Sequence, residues 1–185
     1  DVERGEEFTE RLTAYCRTMS GRTIERDARI PDAYLSGLAA LGVFGMKIPR
    51  EYGGLGLSLV YYGRALALLG SVHPSLGALL SAHQSIGVPE PVKVFGTPEQ
   101  KREYLPRCAS GAVTAFLLTE PDVGSDPARM GSTAVPSEDG ESYLLNGVKL
   151  WTTNGVIAEL VVVMALVPAH TDPDGTAHKG GISAF

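Results

Sequence analysis

Two short stretches hold the groups best suited to chemistry: Leu117-Leu118-Thr119-Glu120-Pro121-Asp122-Val123-Gly124-Ser125-Asp126 and Lys149-Leu150-Trp151-Thr152-Thr153-Asn154-Gly155. The first follows an apolar run, Val113 to Leu118, that reads as a buried strand. Pro121 must end that strand, because it offers no N–H to a ladder and fixes its own φ. Gly124 and Ser125 then present unhindered backbone amides and one hydroxyl, the chemistry that cradles a phosphate. In the second stretch the lone tryptophan, Trp151, stands beside the hydroxyls of Thr152 and Thr153. A flat apolar wall next to donors suits a planar heterocycle with polar edges.

Taken together, Thr-Glu-Pro-x-x-Gly-Ser-Asp and Trp-x-Thr-Asn-Gly, in this order and at this separation, resemble the acyl-CoA dehydrogenase family of flavoenzymes. The resemblance implies FAD as cofactor and an acyl-CoA thioester as substrate, dehydrogenated between its α and β carbons to the trans-2-enoyl product. Carried over by the motifs, Phe116, Leu118 and Thr119 lie along the flavin ring, Gly124 and Ser125 meet its pyrophosphate, and Trp151, Thr152 and Thr153 form the other wall. Ser125 is also the candidate contact to the thioester. No catalytic residue is assigned within the chain: the base of the family comes from a C-terminal four-helix domain, expected beyond Phe185. Glu120 and Asp126 are expected to hold the loop by accepting hydrogen bonds from backbone amides. Asp122, where the family usually has glycine, is expected to face solvent, since a carboxylate beside a pyrophosphate would repel it. The resemblance further implies an electron-transfer flavoprotein as acceptor and a homo-oligomer, tetramer or dimer. Two alternatives keep the fold: an acyl-CoA oxidase or flavin monooxygenase that passes electrons to oxygen, and a non-catalytic scaffold subunit.

The elements that must position these loops change character near residue 110. Before it, Phe8, Leu12, Tyr15, Cys16 and Met19 recur at helical spacing. Tyr34, Leu35, Leu38, Leu41 and Phe44 do so after Pro31, a helix-starting proline. Residues 58 to 70 and 74 to 87 are apolar nearly all round, as buried helices are. Within the latter, Ser81 to Gly87 matches a family stretch lining the acyl-chain pocket; close helix packing explains its small residues equally well. Lys47 to Gly56 is a glycine-rich link between helices, without the spacing of a dinucleotide fingerprint. Thr97 and Pro98 cap a further helix that Tyr104-Leu105-Pro106 should end.

From Gly111 the runs are short and β-type: Val113 to Leu118, Gly131 to Val135, Ser142 to Leu145, Lys149 to Thr152, Val161 to Val167 and Ile182 to Phe185. Asn146-Gly147 is the strongest hairpin signal, and Pro168 to Gly181 reads as a polar loop. The expected architecture is therefore α+β multidomain: an all-α helical bundle over 1–110, then an antiparallel β-barrel-like middle domain over 111–185 that is unfinished at Phe185.

Composition narrows the function classes. The 44% hydrophobic and 20% charged fractions are those of a globular protein with a real core. Basic residues number 13 against 12 acids before residue 111, and 3 against 9 after it, so the net charge moves from +1 to −6. An acidic second half without a basic stripe argues against nucleic acid as a partner. The longest uncharged apolar run, Leu160 to Pro168, is too short to cross a bilayer, so no membrane partner is expected. Cys16 and Cys108 read as reduced thiols of a cytoplasmic protein, or of the mitochondrial matrix if the source is eukaryotic. His73, His83, His170 and His178 lack any HExxH-type spacing, so no metal is expected.

Overall fold

A computed structural model describes residues 2–185, and the chain divides into two compact units. One contains the residues up to Ala115 together with Thr153–Leu160; the other contains Phe116–Thr152 and Val161–Phe185.

Among the described residues, seven α-helices build the first unit: α1 Val2–Cys16, α2 Gly21–Asp27, α3 Asp32–Ala40, α4 Leu59–Val72, α5 Pro74–Ser85, α6 Pro89–Phe95 and α7 Pro98–Ala109. Each buries the apolar face that its spacing defines. On α1, Phe8, Leu12 and Cys16 recur every fourth residue and pack with Leu38, Leu69, Leu76 and Leu80 in one core. The helix predicted over residues 3–20 ends at Cys16, and Ser20, which accepts a hydrogen bond from Thr23 N, caps the start of α2 instead. On α7, Thr97 and Gln100 exchange side-chain-to-backbone hydrogen bonds in a capping box, with Pro98 in the first turn. Pro106 does not end this helix. Leu105, Cys108 and Ala109 are buried around it, and that burial outweighs the one backbone hydrogen bond a proline removes. Burial pushes the Cys16 thiol up to about 11 and the Cys108 thiol up to about 12, so both are inert packing groups.

The β elements are β1 Thr114–Leu117, β2 Thr133–Pro136, β3 Tyr143–Asn146, β4 Leu160–Val167, β5 His170–Thr171, β6 Ala177–His178 and β7 Gly181–Ala184. Five strands form one sheet in the order β1-β4-β2-β3, with β7 also on β4; β5 and β6 form a separate two-stranded hairpin. Where an antiparallel barrel was expected, the described sheet is mixed and not closed. β2 pairs with β3, and β4 with β7, antiparallel, but β2 meets β4 in parallel, Thr133 opposite Leu166. The long connection between β2 and β4 makes this possible, since a parallel pair needs a crossover and a tight turn cannot supply one. Ala134, Ala165 and Val167 form the small core of this unit, with Phe185 packed against it.

Three further sequence expectations change. Asn146-Gly147 is no hairpin turn: the β2–β3 hairpin closes around Glu138-Asp139-Gly140, with Ser137 N donating to Ser142 O and Gly140 at φ 74°. Gly147, at φ 152°, passes so close to Ser132 that a Cβ would overlap that side chain. Lys149 to Thr152 is not a strand, and Pro168 to Gly181 carries the β5–β6 hairpin where a loop was expected.

Candidate functional site

The first motif is folded by its own backbone. Glu120 and Val123 exchange both N–H···O bonds, at 2.9 and 3.1 Å, across Pro121-Asp122, which makes those two residues the exposed tip of a four-residue turn. Asp122 therefore faces solvent, as expected, while Val123 is buried as the plug beneath it. Asp126 Oδ1 accepts from Ala128 N at 3.1 Å and caps the short 3-10 turn Pro127–Arg129. Nothing lies within 4 Å of where a Cβ on Gly124 would stand, so packing does not require glycine there. Ser125 beside it is exposed, and Phe116, Leu118 and Thr119 are half-buried.

Beneath this loop lies a buried ion pair. Lys149 Nζ donates to Glu120 Oε1 at 2.7 Å, each side chain being 7% exposed. Glu120 also accepts from Gly131 N at 2.7 Å and Ser132 N at 3.0 Å, and Lys149 Nζ donates to Leu118 O at 3.2 Å. Burial alone would push the Glu120 carboxyl up, but the bond from Lys149 and those from the two amides outweigh it and hold the group at about 2. The expectation that Glu120 is a loop anchor is met; the role of Lys149 was missed, although opposite charges within the two motifs were visible.

The two motifs meet here. Leu150 N donates to Thr119 O at 2.8 Å, which takes residues 149–152 out of any strand of their own and delivers Trp151 next to the first loop. Trp151 has φ 56°, a left-handed conformation rare for a bulky residue, and the residue is 89% exposed. Phe116, Leu118, Thr119, Gly124, Ser125, Trp151 and Thr152 all lie in the sheet unit.

Thr153 belongs to the helical unit. There it lines a cavity of about 490 Å³ together with Arg29, His73, Ala78, Leu79 and Asn154. Asn154, at φ 68°, fastens the segment: its Nδ2 donates to Leu79 O at 2.9 Å and Thr114 O at 3.1 Å, and Glu159 N donates to Val113 O at 2.9 Å. Asn tolerates this backbone better than most residues, a signal the sequence held but that was not used.

In the same unit, Ser81 to Gly87 is packed by polar contacts. His83 is fully buried, with Nε2 3.0 Å from Phe44 O and Nδ1 2.9 Å from Thr114 Oγ1. A carbonyl only accepts, so Nε2 carries the proton; burial drives the imidazole down to about 4 and leaves Nδ1 bare to accept from Thr114. Gln84, equally buried, donates to Val43 O and accepts from Lys47 N.

With this geometry in place, comparison with known proteins identifies the class. The family model described as acyl-CoA dehydrogenase, N-terminal domain, matches residues 4–112, and that of the middle domain matches residues 115–185. The chain belongs to the acyl-CoA dehydrogenase family.

Among its relatives is the probable acyl-CoA dehydrogenase FadE10 of Mycobacterium tuberculosis, 64% identical over 182 residues, covering 98% of this chain and 27% of the relative. The mitochondrial very long-chain specific acyl-CoA dehydrogenase of Homo sapiens is 47% identical over 150 residues, 80% of this chain and 23% of that protein. Among solved structures, the acyl-CoA dehydrogenase from Bacillus anthracis complexed with FAD superposes with a TM-score of 0.83 at 30% identity, over 100% of this chain and 30% of that one. Butyryl-CoA dehydrogenase from Megasphaera elsdenii gives the same TM-score and identity over 98% of this chain and 47% of that one. The chain thus spans about a quarter of the length of the curated relatives it matches.

Proposed function

We propose that this chain supplies the flavin-holding part of an FAD-dependent acyl-CoA dehydrogenase, which converts an acyl-CoA thioester to its trans-2-enoyl product. The observation that carries the reading is the joining of the two motifs, by the Leu150 N to Thr119 O bond and the Lys149–Glu120 pair beneath it. The residues fit the group. Gly124 and Ser125 leave an open, exposed backbone just after the turn for a pyrophosphate, with Asp122 turned outward and Glu120 neutralised. Trp151 offers an exposed aromatic face, and Thr119 offers a hydroxyl to the polar edge of a ring.

FAD, when bound, supplies the hydride acceptor that no protein side chain can be. This chain's own residues bind and orient. Phe116, Leu118 and Trp151 exclude water from the ring, and the Thr119 hydroxyl donates to its polar edge, favouring the electron-richer form. Ser125 also contacts the thioester. The base that takes the α proton belongs to a C-terminal four-helix domain, and further strands complete the mixed sheet into a barrel-like middle domain; the greater length of the relatives supports both. An electron-transfer flavoprotein as acceptor, a homotetrameric or dimeric assembly and a cytoplasmic or matrix location belong to the same proposal.

The test uses the complete protein. Purified and reconstituted with FAD, it should be yellow and bleach on addition of an acyl-CoA. Failure to take up FAD overturns the proposal, and steady peroxide release under air would reassign it to the oxidases of the same fold.

A further inference from the structure

Away from the motif loops, the β5–β6 hairpin assembles three metal-ligating groups that linear spacing did not reveal. His170 and His178 are direct cross-strand partners, and their rings stack at 4.8 Å with an interplanar angle of 11°. Asp172, just past the end of β5, turns back between them. Its Oδ1 lies 3.3 Å from His170 Nε2 and its Oδ2 2.8 Å from His178 Nε2. One ligand atom from each of the three residues falls within 4.8 Å of the other two.

The backbone that carries Asp172 is fixed. Its N–H donates to Thr176 O and its carbonyl accepts from Gly175 N, both at 2.9 Å, while Asp174 Oδ1 accepts from Thr176 N at 2.8 Å. His170 is oriented too, with Nδ1 3.0 Å from Pro168 O. A carbonyl cannot donate, so Nδ1 carries the hydrogen and, in a neutral ring, Nε2 keeps its lone pair toward Asp172. This is the outer-shell arrangement that fixes the tautomer of a ligating histidine. A bare nitrogen and a carboxylate oxygen facing each other across 3.3 Å repel unless the ring takes up a proton or a cation lies between them.

The geometry points to a Zn²⁺-binding site formed by His170 Nε2, His178 Nε2 and the Asp172 carboxylate, which staples the hairpin. Zinc–nitrogen bonds of about 2.0–2.1 Å in a tetrahedron put neighbouring ligand atoms about 3.3 Å apart, a spacing His170 and Asp172 already have. Two imidazoles and one carboxylate suit zinc and its transition-metal neighbours, whereas Ca²⁺ and Mg²⁺ require all-oxygen sets. The His170, Asp172 and His178 side chains are 18%, 37% and 44% exposed, so the fourth position is open to water and the ion has a path in. The sequence expectation of no metal rested on spacing along the chain; antiparallel register joins residues eight apart, which a helical motif search does not detect.

Untagged full-length chain, stripped with EDTA and dialysed into metal-free buffer, is titrated calorimetrically with ZnCl₂. Binding of one equivalent is expected, weakened at least about tenfold by His178→Ala and by Asp172→Asn, with circular dichroism confirming the fold. His73→Ala, which removes a histidine paired with Glu25 elsewhere, should leave it unchanged. NMR of the ring nitrogens gives a reading that needs no variant: the Nε2 resonances of His170 and His178 shift on adding zinc while those of His73 and His83 stay. No heat of binding, an unaltered affinity in His178→Ala, loss in His73→Ala, or equal competition by Ca²⁺ would each overturn the site.

Discussion

Lys149 Nζ and Glu120 Oε1 stand 2.7 Å apart in a pocket of the sheet unit where both side chains are almost sealed from water, each anchored in one of the two motifs. Removing one charge strands the other. Lys149→Met should cost about 3–5 kcal/mol, the usual penalty of an orphaned buried ion, read as a fall in urea midpoint. The double variant Glu120→Gln, Lys149→Met should recover most of it. The pair also sets an acid limit: with its folded pKa at about 2 against 4.5 for the free group, the Glu120 contribution is complete above pH 4.5 and drains away as pH falls toward 2.

His83 acts in the same direction at milder pH. Its folded pKa of about 4 lies below the ordinary 6.5, so the unfolded chain takes up a proton the native one refuses. Stability should be intact above pH 6.5 and fall toward pH 4 by up to about 1.4 kcal/mol per pH unit. His83→Gln should flatten that slope when urea midpoints at pH 5 and 7 are compared. Thr114→Val, which removes the donor to Nδ1, should cost roughly 1 kcal/mol.

Two helical-unit glycines make opposite predictions. A Cβ on Gly87 would overlap Thr114 Oγ1 and stand 2.6 Å from His83 O, so Gly87→Ala should destabilise by about 1–3 kcal/mol. Gly63, on the exposed side of α4, has nothing within 4 Å. Gly63→Ala should stabilise by about 0.5–1 kcal/mol through helix propensity alone, and thermal melts of the two variants should move apart.

Asn154 combines a left-handed backbone with two hydrogen bonds, and two substitutions separate these effects. Asn154→Gly keeps the backbone freedom and loses the bonds, costing about 1–2 kcal/mol. Asn154→Ala loses both and should cost about 1 kcal/mol more. Equal melting temperatures would show that the φ of 68° carries no strain.

Trp151 is the case where stability and function should part. Its ring is exposed and its φ is 56°, so Trp151→Gly gives up little burial and relieves about 1–2 kcal/mol of backbone strain. The complete protein with this change should melt higher and hold FAD less tightly, measured by flavin fluorescence on dilution.

What was legible in the sequence had a period or a stop signal. Phe8, Leu12 and Cys16 marked their helix because burial recurs every turn, and Thr97 with Pro98 marked theirs because a cap is a local event. Thr119 and Trp151 were expected on two walls of one flavin because their paired motifs resemble a family, and the bond from Leu150 N to Thr119 O joins the two segments. What escaped were pairings between distant positions. Lys149 to Thr152 looked like a strand until its amide was taken by Thr119 O, and Asn146-Gly147 looked like a turn although its glycine serves a close approach to Ser132. The β5–β6 register was hidden for the same reason: two-residue strands have no alternation to detect.

The excursion of Thr153–Leu160 into the helical unit means that neither unit is a continuous length of polypeptide. Excising the helical half near residue 112 would discard the strap that Asn154 and Glu159 fasten to Leu79, Thr114 and Val113. Chimeras between members of this family must therefore exchange two separate pieces of gene for every one unit they intend to transplant.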